Sequence, residues 1–509
     1  MRTLFALLVV TLLVTGTAWA DSPILTATEV GALKLPDVFI VSADYHDGSR
    51  SNEGAQVAHL DVHGIIGGSI RFELLLPDQW NGRFAMGGGG GLVGSIQNAA
   101  RNSVNEGFAT VGTDTGHQAG GTDGSWALNN LEALVNFGHV AVHRTSEVAK
   151  AIVRAYYGKG PNKSYFIGCS RGGGQALMEA QRYPDDFDGI VAGAPAFDWP
   201  GIAALFTHVA QTMYPDPNDL SQTVLTQTDL DHIYAEIMKQ VDEQDGLGDG
   251  IIDDPTAVNF DLTKVPGLTD KQRAAVHAVY EGVHNADGMI YPGFPIGAEG
   301  GPAGWFVWLV GPVPETVNLS FAFGTNIFKY FVFNDPDWDY SNYDFATWEK
   351  DTRLAGSLLS SKDPDLDDFA SRGGKLILWH GWADAALPAT ATVNYYNEIL
   401  KRDQSARDYV RLFMIPGCYH CGGGPGISQV EWLEVIQDWV EFGNAPDRII
   451  ASRNAQEGNP AMTRPLVPFP LRVEYDGSGD KNDAANFAPM RKTSARMSQN
   501  NGRKPYSTR

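Results

Sequence analysis

Positive charge is scarce in this chain: 38 Lys and Arg stand against 60 Asp and Glu, a formal net charge of −22. A polyanion would be repelled by such a field, which excludes a general nucleic-acid binder. No stretch approaches 18 unbroken apolar residues, so no membrane-spanning helix is expected. Cysteine is limited to three positions and there is no second C-x-x-C, so the one present, Cys418 to Cys421, gains no support as a redox or zinc motif. There is no internal repeat. What is present is a 43% hydrophobic fraction, enough for a large core and incompatible with a disordered or fibrous chain. The 509 residues suggest two to three domains, or one large α/β domain carrying an insertion.

Residues 1–20 have the layout of a cleavable export signal: Met1-Arg2, an apolar run from Leu4 to Val14, then Ala18-Trp19-Ala20. Asp21 follows the cut where a lipoprotein would need cysteine. A secreted or periplasmic protein works where disulfides persist. At the other end, residues 484–509 hold six Lys and Arg and no acid, an aperiodic basic tail expected to be disordered.

Between these ends the chain alternates β-rich and helical runs. Strands are expected at 70–76, 83–86, 108–113 and 164–167, and helices at 131–157 and 174–183. The pattern returns with strands at 375–380 and 409–415 and helices at 392–400 and 430–442. Such alternation predicts a mostly parallel sheet covered by helices, an α/β fold. It is lost between 198 and 366, a Pro-, Gly- and aromatic-rich stretch that reads as a lid inserted into the 21–197 and 367–483 catalytic domain.

Gly168-Cys-Ser170-Arg-Gly172 closes a strand and opens a helix, matching the G-x-S-x-G turn that projects a serine above a sheet. The two glycines leave room for the crossing strand and helix. The helix start offers the Arg171 N–H to a developing oxyanion. A serine needs a base and an orienting acid, and in this fold they follow in the order Ser, Asp, His. Asp384, just beyond the strand 375–380, and His420, in the loop after 409–415, occupy those places. His380 and His117 read equally well as structural hydrogen-bonders. The second oxyanion donor is expected in Met86-Gly-Gly-Gly-Gly-Gly91-Leu-Val-Gly94; a phosphate loop would need a Gly-Lys-Ser/Thr ending, which is absent.

Cys169 precedes the serine and Cys421 follows the histidine. A bridge between them would close a loop of 252 residues and stabilise the fold by roughly 5 kcal/mol on chain entropy. With these pairs, Trp80-Asn-Gly-Arg-Phe84, the glycine loop, residues 163–195, Arg372-Gly-Gly-Lys375, the histidine loop and Gly477-Ser-Gly-Asp480, the chain resembles the tannase and feruloyl esterase family of α/β-hydrolases. The resemblance implies Ser170 as nucleophile, His420 as base, Asp384 as orienting acid, a Cys169–Cys421 disulfide, and Gly91 and Arg171 as oxyanion donors. Cys418 departs from it and is read as a free, packed thiol.

Asp242-Glu-Gln-Asp245-Gly-Leu247-Gly-Asp249-Gly-Ile251-Ile-Asp253 spaces oxygen ligands around glycines as a hard cation requires, although a solvated acidic loop has the same composition. The resemblance implies a structural calcium ion, with Asp242, Asp245 and Asp249 giving side chains and Leu247 and Ile251 carbonyls; Val241 stands where the family usually has a lid cysteine. The insertion's aromatics (Trp305, Phe306, Trp308, Phe321, Phe323, Phe328, Tyr330, Phe331 and Phe333) could stack on a phenolic acid or form lid core. No Arg occurs from Ala274 to Thr352, and Lys329 and Lys350 are the only cations there, which disfavours a substrate with a free carboxylate. The expected activity is hydrolysis of hydroxycinnamic or related phenolic esters, the alcohol being small or a plant polysaccharide. The alternatives are gallate esters, a terephthalate monoester, a peptide or lactone on the same triad, and a non-catalytic calcium-stabilised binding protein.

Overall fold

The computed structural model describes residues 22–311, 318–455 and 460–489. The export signal expected at 1–20 and the basic tail from 490 onward lie outside the described residues.

A nine-stranded sheet organises the molecule. Its strands are β1 (Val38–His46), β2 (His59–Ile66), β3 (Ile70–Pro77), β4 (Arg83–Gly87), β5 (Ala109–Thr113), β6 (Lys163–Cys169), β7 (Gly189–Gly193), β10 (Lys375–Gly381) and β11 (Val410–Ile415). The spatial order is β1-β2-β3-β5-β4-β6-β7-β10-β11. From β5 to β11 every pairing is parallel, whereas β1, β2, β3 and β5 pair antiparallel. The parallel strands are short and covered on both faces: all of β7, Gly-Ile-Val-Ala-Gly, is buried. Strands of that kind read as apolar runs without alternation. Between β7 and β10, the described residues from 194 to 374 contribute no strand to this sheet; they carry the helices Trp199–Met213, Gln227–Val241, Asp270–Glu281, Leu319–Asn326 and Trp348–Leu359 and a hairpin of β8 (Val283–Asn285) and β9 (Gly288–Tyr291). Two further pairs, β12 (Ile449–Arg453) with β13 (Met462–Leu466) and β14 (Val473–Tyr475) with β15 (Phe487–Pro489), follow the last helix, Trp432–Phe442.

The strands β1, β2, β7 and β12 to β15 were not expected from sequence, and two expected segments are altered. The helix expected at 131–157 is interrupted by a wide turn at Asn136–Val140, where a side chain on Gly138 would come within 2.5 Å of the Leu358 carbonyl; the close approach of the insertion forces the irregularity. Residues 484–489, expected to belong to the tail, are ordered: Phe487–Pro489 pairs with β14 and Phe487 is buried against the Arg464 guanidinium.

Glu299, in the insertion, is fully buried, accepting hydrogen bonds from Tyr280 Oη at 2.7 Å and Gly297 N at 2.8 Å. Burial pushes its pKa up to about 7, against 4.5 when exposed. A raised acid favours the fold fully below pH 4.5 and loses that contribution as pH rises to about 7, on the order of 3 kcal/mol. Glu299→Gln should therefore gain stability relative to wild type between pH 5 and 8 in thermal unfolding; a difference independent of pH would show that Glu299 does not titrate there.

Candidate active site

β6 ends at Cys169, and the chain turns through Ser170 with φ 62° and ψ −122° before the helix Arg171–Arg182 begins. A non-glycine residue at positive φ is costly and is held by its surroundings. Here Ser170 N donates to Gly193 O, and Ser170 O accepts from Gly174 N and Ala196 N. The turn closes because a side chain on Gly168 would lie 2.5 Å from the Gly172 backbone.

Asp384 follows β10 and is buried, 1% exposed. Its Oδ1 accepts from Ala386 N at 2.7 Å and Leu387 N at 2.9 Å; its Oδ2 meets His420 Nδ1 at 2.7 Å and His380 Nε2 at 3.1 Å. Burial alone would raise the pKa of this carboxyl, but the His420 charge and the hydrogen bonds from both histidines hold it well below the carboxylate range. His380 is itself fixed, with Nδ1 2.8 Å from Thr392 Oγ1 and Nε2 also 3.1 Å from Leu387 O. The sequence had placed His380 at even odds as a structural residue; its position four residues before the aspartate was the only signal that it would share this carboxylate. His117 packs instead on Trp126 and bonds to Leu92 O, behind the glycine loop.

Ser170 and His420 line one cavity of about 310 Å3. The hydroxyl makes no hydrogen bond to the imidazole in this geometry, so the Asp–His half of the expected row is formed and the Ser–His half is open. Apo sites commonly tighten that contact only when substrate binds. The backbone donors around the cavity can be counted. In the glycine loop, Gly88, Gly89, Gly90, Leu92 and Val93 each donate to a protein oxygen, to Ile167 O, Gln175 Oε1, Gln97 Oε1, Gly121 O and Gly90 O. Among the described residues, the N–H groups of Gly91 and Arg171 have no acceptor, and both residues line the cavity. Gly91 sits at φ 58° with Gly121 O 2.5 Å from where a Cβ would be, so only glycine fits.

The Cys169–Cys421 disulfide is formed, with Cα atoms 5.8 Å apart, and it joins the serine turn to the histidine loop. Cys418 is a free buried thiol, pushed up to about 12 by burial and by the Asp384 charge, and its Sγ donates to Tyr419 O. With Cys421 already bridged, the C-x-x-C pattern is neither a redox pair nor a zinc half-site.

The rest of the lining comes largely from the insertion: Trp199, Ile202, Phe206, Trp308, Phe323 and Ile327. Trp308 stands edge-on to the His420 ring, 5.2 Å between centroids. Of the nine aromatics singled out in sequence, only Trp308 and Phe323 reach the cavity; Trp305, Phe328 and Phe331 are buried lid core. Trp199 and Phe206 went unrecognised because they lie on the first helix after β7, where an apolar face reads equally as packing. The one charged side chain in the lining is Arg171, whose buried guanidinium donates to the Phe137 and Gly138 carbonyls and stacks on the Phe137 and Trp199 rings.

The acidic loop at 242–253 lies apart from this cavity. Asp242 Oδ1 accepts from Gly250 N, Asp245 from Leu247 N and Asp253 N, and Asp249 from Ile251 N and the Arg464 guanidinium. Asp253 is pushed up to about 7 by burial and by the charge of Asp245. Its oxygen donors suit calcium in kind. No three of its carboxylates come within 4.8 Å of one another, the span across a calcium ion of about 2.4 Å bonds, so side chains must close in to share one ion.

A parallel sheet with a serine on a strained strand-to-helix turn, and an Asp–His pair on loops after later strands, defines an α/β-hydrolase. Within that class the chain belongs to the tannase and feruloyl esterase family, which matches residues 56–490. It is 32% identical to the mono(2-hydroxyethyl) terephthalate hydrolase of Piscinibacter sakaiensis over 82% of this chain and 81% of that one. It is 30% identical to feruloyl esterase B of Aspergillus niger over 81% and 82%. The crystal structure of feruloyl esterase B from Aspergillus oryzae superposes with a TM-score of 0.80 at 26% identity, covering 91% of this chain and all of that one. The tannin acyl hydrolase of Aspergillus niger shares the fold, TM-score 0.73 at 21% identity. The protein is accordingly a carboxylic-ester hydrolase, and the non-catalytic alternative is set aside.

Replacing Cys169 and Cys421 together by alanine should lower stability by several kcal/mol, up to about 5, measured by chemical denaturation. Cys418→Ala should cost only about 1 kcal/mol. Equal losses would mean that the bridge does not constrain the fold.

Proposed function

We propose that the protein hydrolyses esters of hydroxycinnamic or related phenolic acids through an acyl-enzyme. Ser170 Oγ attacks the ester carbonyl while His420 Nε2 takes its proton; Asp384 holds the imidazole by Nδ1 and stabilises its charge. The oxyanion is received by the Gly91 and Arg171 N–H groups, which line the cavity and have no protein acceptor. His420 then protonates the departing alcohol, and water, deprotonated by the same imidazole, releases the acid and restores Ser170. The observation that carries this reading is the dry Asp384–His420 pair opening onto the same cavity as Ser170.

The substrate class is supported by that cavity. At about 310 Å3 it lies at the small end of ligand pockets and is walled by rings that can stack on one aromatic acid. The feruloyl esterases among the relatives point the same way. The terephthalate monoester reading rests on the Piscinibacter relative, but Arg171, the one guanidinium among the described lining residues, is buried against the Phe137 and Trp199 rings with Nη2 donating to the Phe137 and Gly138 carbonyls. Turnover of methyl ferulate, methyl gallate, a terephthalate monoester and a short aliphatic ester decides it: methyl ferulate should lead, and preference for the terephthalate ester would overturn the choice. Ser170→Ala should abolish turnover with the fold intact, and Asp384→Asn should lower kcat by about 10^4; full activity in either would remove that residue from the mechanism.

Export of the chain to an oxidising compartment is part of the proposal, supported by the Cys169–Cys421 bridge. So is a structural calcium ion held by Asp242, Asp245 and Asp249 with the Leu247 and Ile251 carbonyls, supported by the oxygen donors that this one loop gathers. Removing calcium with EGTA should lower the Tm by several degrees, and Asp245→Asn should abolish that response; a Tm indifferent to EGTA in the wild type would sink the site.

A further inference from the structure

On the antiparallel side of the sheet, three polar residues that the esterase chemistry does not use share one face. His63 on β2 is paired in register with Glu73 on β3, and Asp61, two residues earlier on β2, projects to the same side. His63 Nε2 lies 3.2 Å from Asp61 Oδ1 and 3.8 Å from Glu73 Oε1, and the three ligand atoms lie within 4.8 Å of one another. An ion with bonds of about 2.0–2.1 Å in tetrahedral geometry spaces its ligands about 3.3–3.4 Å apart. The second carboxylate oxygens have partners of their own: Asn52 Nδ2 donates to Asp61 Oδ2 at 3.2 Å, and Arg101 pairs with Glu73 Oε2. Those partners orient the two carboxylates and leave one oxygen of each facing His63, as outer-shell groups do around a metal.

The Asp61 oxygen is the telling atom. Asp61 is only 7% exposed, and its Oδ1 makes no hydrogen bond of acceptable geometry, although it points into the cluster. An unsatisfied carboxylate oxygen in such a place is costly. Two carboxylates face one guanidinium, Arg101, and two imidazoles, His63 and His46, the latter 4.0 Å from Asp61 Oδ2. His63, with 40% of its side chain exposed, opens it to solvent.

We propose that Asp61, His63 and Glu73 form a binding site for a divalent transition-metal ion of the zinc class, with water completing the coordination. One imidazole with two carboxylates suits such an ion better than a purely oxygen-seeking one. The site stands clear of the serine turn, since β5 and β4 separate β3 from β6 in the sheet. Its effect is to fasten β2 to β3 near the open edge of the sheet, and it stands or falls independently of the esterase reading.

The test uses the full chain, stripped with EDTA, desalted and kept in excess calcium so that the 242–253 loop does not score. Titration with zinc chloride in a calorimeter should give one saturable site, and zinc should raise the Tm. Asp61→Asn and His63→Ala, both away from the cavity, should each weaken zinc binding at least about tenfold and cancel the Tm shift. Cobalt in place of zinc should give visible d–d absorption in the wild type that both variants lose. Absence of saturable zinc binding by the wild type, or undiminished binding in either variant, overturns the site.

Discussion

Removing the Asp384 carboxylate from water is the constraint on which the rest of the site depends. A bare carboxylate at that depth would cost several kcal/mol or take up a proton. It stays ionised because four donors surround it: two backbone N–H groups of its own turn and two imidazoles. The backbone pair fixes where the oxygens point, and Oδ2 then fixes the His420 ring, leaving Nε2 free for the cavity. His380 serves as a second clamp, held between Thr392 and the Leu387 carbonyl, so the carboxylate has little freedom to swing away from His420.

The serine side of the site is held by sterics. Ser170 keeps its unusual backbone because three hydrogen bonds lock it and the glycines below let the helix approach β6. The disulfide then ties this turn to the histidine loop, which arrives 252 residues later, so two segments far apart in the chain keep one spacing. The insertion completes the cavity with side chains from the helices nearest β7 and from the region of Trp308 to Ile327. Those rings keep water from the Asp–His pair and offer an aromatic acid a surface to stack on. The Arg171 charge is only partly satisfied: its guanidinium lies against two rings and Nη2 donates to two carbonyls, while Nε and Nη1 have no protein partner, and its backbone N–H faces the cavity.

Negative charge is distributed unevenly through the fold. Part of it is gathered in the 242–253 loop, where Arg464 reaches back from β13 to Asp249 and Asp253. Another part lies on the β2–β3 face, where Arg101 is the only guanidinium among the carboxylates it joins.

Sequence alone determined the features that are local. The run from Lys163 to Gly172 requires a strand, a tight turn and a helix, because apolar residues, glycines and a lone serine allow no other order; the parallel strands β6, β10 and β11 were legible as apolar runs of the right length. Asp384 and His420 could be placed because each follows such a strand. The antiparallel strand β1 was not legible, since its burial alternates weakly at the edge of the sheet. Only the tertiary structure decided which lid aromatics face the cavity, that His380 shares the Asp384 carboxylate, and that the Gly91 and Arg171 N–H groups reach the cavity without a protein acceptor. These depend on which surface each side chain meets after distant segments pack, and an apolar or polar pattern along one segment does not encode its partner on another.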